Sequence, residues 1–253
     1  MAVESLSTAQ ARSPSAVTAR PLLPLESGDR LTRAEFERRY EAMPWLKKAE
    51  LIEGVVYVGS PVRMDVHAEP HSLVVTWLGV YRAATPGLRT GDSGTVRLDT
   101  DNEPQPDVLL MIDAAAGGRA RLSDGGYVEG APELVVEVAA SSASIDRHDK
   151  LRVYRRNGVQ EYLVWSVLDR RLEWLVLREG EYVPLEPDDR HVIHSQVFPG
   201  LRLAVAALLA GDLAAVLREQ QAGFTTTEHR QFVELLAARQ RSTSTKRQMP
   251  SAK

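Results

Sequence analysis

Two short runs set the terms on which this chain can fold. Val108-Leu109-Leu110-Met111-Ile112, entered through Pro106-Asp107, and Leu134-Val135-Val136-Glu137-Val138-Ala139 are apolar almost throughout. A strand with one wet face alternates, whereas a strand apolar at every position is buried on both faces, inside a sheet covered by helices. Each run carries one acid: Asp107 at the entrance of the first, Glu137 within the second. An ionised carboxylate in such surroundings is costly unless it is paired or binds a cation. Two such acids on neighbouring strands could share one divalent cation, since Mg2+ takes a few carboxylates plus water and phosphate oxygens. For either acid alone, the plainer reading is a solvated strand face or an ion pair with one of the many arginines.

Around these runs the pattern is mixed. Thr32-Arg33-Ala34-Glu35 fits a capping box, in which Thr32 caps and Glu35 reaches back, for a helix ending near Met43. Two β-rich runs around Glu53-Gly54 predict a hairpin. Leu73, Val74, Trp77, Leu78 and Tyr81 predict a helix from Glu69 to Ala84. Leu88–Leu98 reads as one strand or two, and the Gly-rich residues 113–131 as a loop. Asp146 is placed to cap a helix over Arg147–Arg156, ended by Asn157-Gly158. Strands follow over 161–167 and 171–178, with a further pair in 181–194. A helix near 208–217 is interrupted at Gly211, and another covers 227–240. The order gives a mixed α/β class. The Ser- and Pro-containing residues 1–28 read as a disordered leader, 29–222 as the main domain, and 223–253 as a helix with a basic disordered tail from 241.

Composition excludes several classes. The 253 residues contain no cysteine, so disulfides and thiolate metal sites are out. No stretch reaches the roughly 18 apolar residues of a membrane span, and no apolar segment follows a basic start, so a cytoplasmic protein is expected. The net charge of −3 does not announce a nucleic-acid binder. Residues 147–156 nevertheless hold five Lys or Arg and one Asp. Arg152, Arg155 and Arg156 share a face there, and with Arg147 form a candidate grip on a phosphate backbone; the alternative is an ordinary charged surface.

Pro106-Asp107, Glu137-Val138-Ala139 and Lys150, in that order and spacing, resemble the PD-(D/E)XK nuclease superfamily. More narrowly, the chain resembles the Uma-type (Uma-two) endonucleases over residues 30–205. The stretches that carry this are 50–54, 106–108, 134–138 with Ser141-Ser142, 146–150 and 157–162. The resemblance implies a restriction endonuclease-like α/β (α+β) fold, with a mixed β-sheet core flanked by helices and an N-terminal helix and hairpin. It implies an endonuclease hydrolysing phosphodiester bonds, in DNA, with Mg2+ or Mn2+ as cofactor. It assigns Asp107 and Glu137 as metal ligands, the Val138 carbonyl to complete that shell, and Glu50 as a further ligand or water-positioning group. His71 matches a histidine of the family's helix after the hairpin and is expected to face the site from behind the ligands. One departure stands out: Ala139 occupies the place where the superfamily has lysine. Lys150, on the next helix, is the implied replacement, steadying charge on the phosphate or orienting the attacking water.

Rival readings remain open at this level. A nuclease-like fold could hold nucleic acid without cutting it, and Ala139 keeps that alive. A zinc hydrolase could use His67, Glu69 and His71, although the glutamate is one place off the protease motif and Pro70 disfavours a helix spanning both histidines. Gly91-Asp92-Ser93-Gly94 reads as a turn, not a serine nucleophile. The glycine pairs at 117–118 and 125–126 lack phosphate-loop spacing. A homodimer would suit a substrate with two strands to cut, though nothing in the chain demands one.

Overall fold

The computed structural model describes residues 22–140 and 145–248. Residues 1–21 of the expected leader, Ser141-Ser142, and residues 249–253 of the expected tail lie outside them. α1 (Arg33–Glu41) is followed by the hairpin of β1 (Ala49–Ile52) and β2 (Val55–Val58), then by α2 (Glu69–Ala84) and β3 (Leu88–Asp92). β4 (Val96–Arg97) precedes β5 (Val108–Ile112). β6 (Arg121–Leu122) and β7 (Val128–Glu129) precede β8 (Leu134–Ala139). Then come α3 (Leu151–Asn157), β9 (Glu161–Ser166), β10 (Arg171–Arg178) and β11 (Glu181–Pro184). β12 (Val192–His194), β13 (Arg202–Ala204), α4 (Val205–Leu209), α5 (Leu213–Phe224) and α6 (Thr227–Gln248) complete the chain.

The two apolar runs, β5 and β8, lie side by side in the middle of a six-stranded mixed sheet ordered β11-β10-β9-β8-β5-β3. All five residues of β5 and all six of β8 are buried. β5 and β8 are antiparallel, with Val108 opposite Val136; β8 and β9 are parallel, with Glu137 opposite Val164. Parallel neighbours need a crossover, and here it carries α3 over one face of the sheet. Alternation then sorts β8. Leu134, Val136 and Val138 face the large core beneath α2, with Trp77 and Trp174 packed edge to face at 5.6 Å. Val135 and Ala139 pack with Tyr154 of α3 and with Tyr162. Glu137 shares that second face, so the crossover helix covers the acid.

Several expectations need correcting. Thr32 does cap α1, but Glu35 pairs with Arg38 and Arg39 instead of reaching back. Residues 25–28 are held rather than loose: Leu25 is buried against the hairpin and Gly28 N–H donates to the Val56 carbonyl at 2.9 Å. The expected loop at 113–131 contains β6 and β7, which join β4 in a small sheet. β11 extends the main sheet and β12 pairs with β13, so 181–194 is not one strand pair. Ile145 precedes the wide, π-type turn Asp146–Lys150 that leads into α3, and Asp146 is buried inside that turn instead of capping it. A similar turn, Met64–Ala68, runs straight into α2. Pro70 does not break this path, because a proline in a helix's first turn has no helical N–H bond to lose.

The boundary expected at 222/223 falls inside α5, and α6 belongs to the same body. Leu236 is fully buried in the main core and Phe232 packs against it. The helix runs past Gln240 to Gln248, through residues expected to be disordered. The hydroxyls of Ser242, Thr243, Ser244 and Thr245 each donate to the carbonyl four residues back, and Thr243 also donates to Ala115 at 3.0 Å. That tertiary contact holds a segment whose composition alone does not favour helix.

Candidate active site

The ladder between β5 and β8 stops at Val108–Val136. One residue further, side chains replace it. The Val138 N–H donates to Asp107 Oδ2 at 2.8 Å, and the Asp107 N–H donates to Glu137 Oε2 at 3.4 Å. Both acids are thus fixed at a parting strand end, buried to within 4% of full enclosure. β1 brings the third. A bridge between Leu51 and Glu103 docks the hairpin, and Gln105 N–H donates to Glu50 Oε1 at 2.7 Å.

Lys150 ties these acids together. Its ammonium lies 2.9 Å from Glu50 Oε1, 3.0 Å from Glu137 Oε1 and 3.4 Å from Asp146 Oδ1. Tyr154, one turn on, donates its hydroxyl to the same Glu137 oxygen at 2.9 Å. Two residues that the sequence reading did not assign to the acids also arrive. Lys48 Nζ is 3.3 Å and His67 Nε2 is 3.5 Å from Asp107 Oδ1. Signals existed for both: Lys48 stands two residues before Glu50, on the same strand face, and His67 stands four before His71, on the same helical face. His71 Nε2 lies 3.0 Å from the Asp107 main-chain oxygen and 3.3 Å from Asp92. It therefore touches the backbone of the acid and not its carboxyl group. Glu69 is exposed, and both histidines turn to Asp107, so the zinc trio does not assemble.

Four buried carboxylates (Glu50, Asp107, Glu137, Asp146) share this site with two ammonium groups and one imidazole. Burial pushes Glu137 up to about 8; Lys150 pulls against it, while Asp146, Asp107 and Glu50 push with it. Burial also works on Asp107, but His67, Lys48 and the Val138 N–H outweigh it and hold that carboxyl well below the usual range. Burial would strip the proton from Lys150, yet Glu137, Glu50 and Asp146 keep it charged. The hydrogen bond to Asp107 raises His67 above its ordinary value, and the Val138 carbonyl adds to this. The balance is four carboxylates against two ammonium groups and an imidazole, with burial holding a proton on Glu137, beside a carbonyl oxygen.

That donor set suits a hard cation: Asp107, Glu137 and the Val138 carbonyl offer oxygens only. Among the described residues no three His, Asp or Glu side chains form a complete ligand group. A Mg2+ ion needs fewer, because it keeps water and takes phosphate oxygens. The acids open onto a cleft of about 350 Å3, also lined by Tyr57, Val62 and Leu168. A larger cavity, about 530 Å3, lies between β10, β12 and α4 and contains none of the four carboxylates.

The basic helix is not an open grip. Arg152 pairs with Asp149, Arg155 with Glu181, Arg156 with Glu53 and Asp99, and Arg147 with Asp169 and Glu173. Each cation expected to reach phosphate is already engaged by a carboxylate.

Residues 33–206 match the Uma2 family, described as "Putative restriction endonuclease". The fold is similar to that of a solved structure described as "a putative nuclease belonging to DUF820" from Anabaena variabilis ATCC 29413. That match has a TM-score of 0.55 and 17% identity, and covers 72% of this chain and 98% of the other. No curated protein matches the chain. No helix among the described residues is long and apolar enough to cross a membrane.

Proposed function

This chain belongs to the Uma2 family, and from that premise we propose that it is a divalent-metal-dependent endonuclease that hydrolyses phosphodiester bonds in DNA. The observation that carries the reading is the convergence of two buried carboxyl groups, Asp107 and Glu137, at one parting strand end beside an open cleft. Ionising a buried carboxyl such as Glu137 is costly, and a bound cation lowers that cost. Asp107, Glu137 and the Val138 carbonyl would hold Mg2+ or Mn2+. When bound there, the ion supplies Lewis-acid polarisation of a phosphate oxygen.

The remaining roles fall to the chain's own groups. Lys150 and Tyr154 hold Glu137 in one orientation, which preorganises the ligand side chain. Glu50, fixed by the Gln105 N–H and by Lys150, would orient an attacking water from the cleft wall or serve as a further ligand. His71 steadies the Asp107 backbone from behind. A binding module without chemistry would lean on the basic helix, and the ion pairs of Arg152, Arg155 and Arg156 argue against it.

The test is to incubate purified protein with supercoiled plasmid, linear duplex, single-stranded DNA and RNA, with Mg2+ or Mn2+ and with chelator. Cleavage of DNA that the chelator abolishes is the expected result. Chelator-resistant cleavage, or no cleavage of any substrate, would sink the proposal.

A further inference from the structure

Lys150 has the position the resemblance assigns to the phosphate-facing lysine, but three buried carboxylates enclose it. An ammonium has three N–H groups. The Lys150 ammonium donates to Glu137 at 3.0 Å and lies 2.9 and 3.4 Å from oxygens of Glu50 and Asp146, and its side chain is 5% exposed. Lys48 is the opposite case. Among the described residues it pairs with one carboxylate oxygen, Asp107 Oδ1, at 3.3 Å, and its side chain is 34% exposed on the wall of the same cleft.

The hairpin is built to let Lys48 in. Gly59 N–H donates to the Lys48 carbonyl at 3.0 Å, which clamps the open end of the strand pair. A Cβ placed on Gly59 would sit 3.0 Å from Lys48 Cβ and 3.3 Å from its Cγ. The missing side chain leaves the lysine stem free to lie across the glycine and send its head to Asp107. The strand spacing that turns Glu50 toward the acids turns Lys48 the same way.

We infer that Lys48, and not Lys150, is the residue that meets the phosphate undergoing cleavage, while Lys150 is a positioning residue that holds Glu50 and Glu137. The inference rests on the nuclease reading above and assigns its phosphate contact. A compact, mobile ammonium at the cleft wall acts as a point charge on a phosphate oxygen. Electrostatic groups of this kind contribute most where charge builds during the reaction.

The experiment pairs two measurements on Lys48→Ala, Lys48→Arg, Gly59→Ala and Lys150→Met proteins. One is plasmid nicking with Mg2+ or Mn2+. The other is binding of a short fluorescein-labelled DNA duplex in chelator, followed across a range of salt. Loss of one phosphate contact lowers the slope of log affinity against log salt by about one, an effect that a merely structural role does not produce. Lys48→Ala should nick roughly 100-fold or more slowly and bind with the lower slope, with a smaller fall in melting temperature than Lys150→Met, since His67 and the Val138 N–H still hold Asp107. Lys48→Arg should keep the slope. Gly59→Ala, which removes no charge, should slow nicking less than Lys48→Ala by displacing the lysine stem. Lys150→Met should melt earlier with its slope intact. Wild-type nicking together with an unchanged slope in Lys48→Ala would overturn the inference and leave the nuclease reading standing. A wild-type protein that neither nicks nor binds the duplex would overturn both.

Discussion

Replacing Lys150 by methionine keeps the bulk of the side chain and removes the charge. Three buried carboxylates, at 2.9, 3.0 and 3.4 Å, then lose their common partner. Breaking a buried ion pair from one side costs about 3–5 kcal/mol, because the stranded charge stays in a poor solvent. For a body of this size each kcal/mol lowers the melting temperature by roughly 2–4 °C, so a fall of roughly 6–20 °C is expected. The deficit should also depend on pH. Burial already pushes Glu137 up to about 8 against the pull of Lys150, and removing the lysine raises it further. A carboxyl whose folded value exceeds its unfolded one contributes stability that is fully present below the unfolded value and lost as pH rises through the folded one. Lys150→Met should therefore lose least in mild acid and most above about pH 8. Urea unfolding, followed through the buried tryptophans Trp77, Trp165 and Trp174, measures this. Adding Glu137→Gln should recover at least about 1 kcal/mol, since residues in contact couple. A loss below about 1 kcal/mol that does not change with pH would refute the reasoning.

Three other outcomes follow from the same geometry. Leu236→Ala, at a fully buried position of α6, should cost about 2–5 kcal/mol in the single main unfolding transition; an unchanged main transition would mean that α6 is not part of the core. His67 is raised above its ordinary value by Asp107, so its contribution to stability is complete below about pH 6.5 and lost as pH rises through the raised value. His67→Gln should remove that decline, and a stability–pH curve that still matches wild type would contradict the pairing. Replacing Arg152, Arg155 and Arg156 together by alanine should weaken duplex binding less than Lys48→Ala does, because each arginine already holds a carboxylate; a drop in salt slope of two or more, about one for each freed phosphate contact, would restore the basic helix as the grip.

Legibility followed range in the chain. The apolar runs 108–112 and 134–139 announced a doubly covered sheet because burial on both faces leaves its mark in every residue of a strand. Asp107 and Glu137 stood out against those runs for the same reason, and Glu50 and Lys150 came through the resemblance. Features set by distant partners were hidden. The arginines of α3 read as a basic surface, since nothing local shows that Glu53, Asp99 and Glu181 fold back onto them. Lys150 read as a cation on offer, and only the tertiary structure shows it enclosed by three carboxylates. Lys48 and His67 were visible as spacings, but the spacing gains meaning only when the segments leading into β1 and α2 meet at Asp107. The helical 241–248 segment continues a helix anchored at Leu236, and Thr243 reaches Ala115, more than a hundred residues away.

The most direct test of the central claim is plasmid nicking by an Asp107→Asn protein beside wild type, in Mg2+ or Mn2+, with the melting temperature of both recorded. Asparagine keeps the shape and one oxygen for the Val138 N–H, and removes the charge that a cation needs. The account predicts metal-dependent nicking by wild type and its loss in a folded variant. Nicking that persists in folded Asp107→Asn would place the chemistry elsewhere and contradict the account.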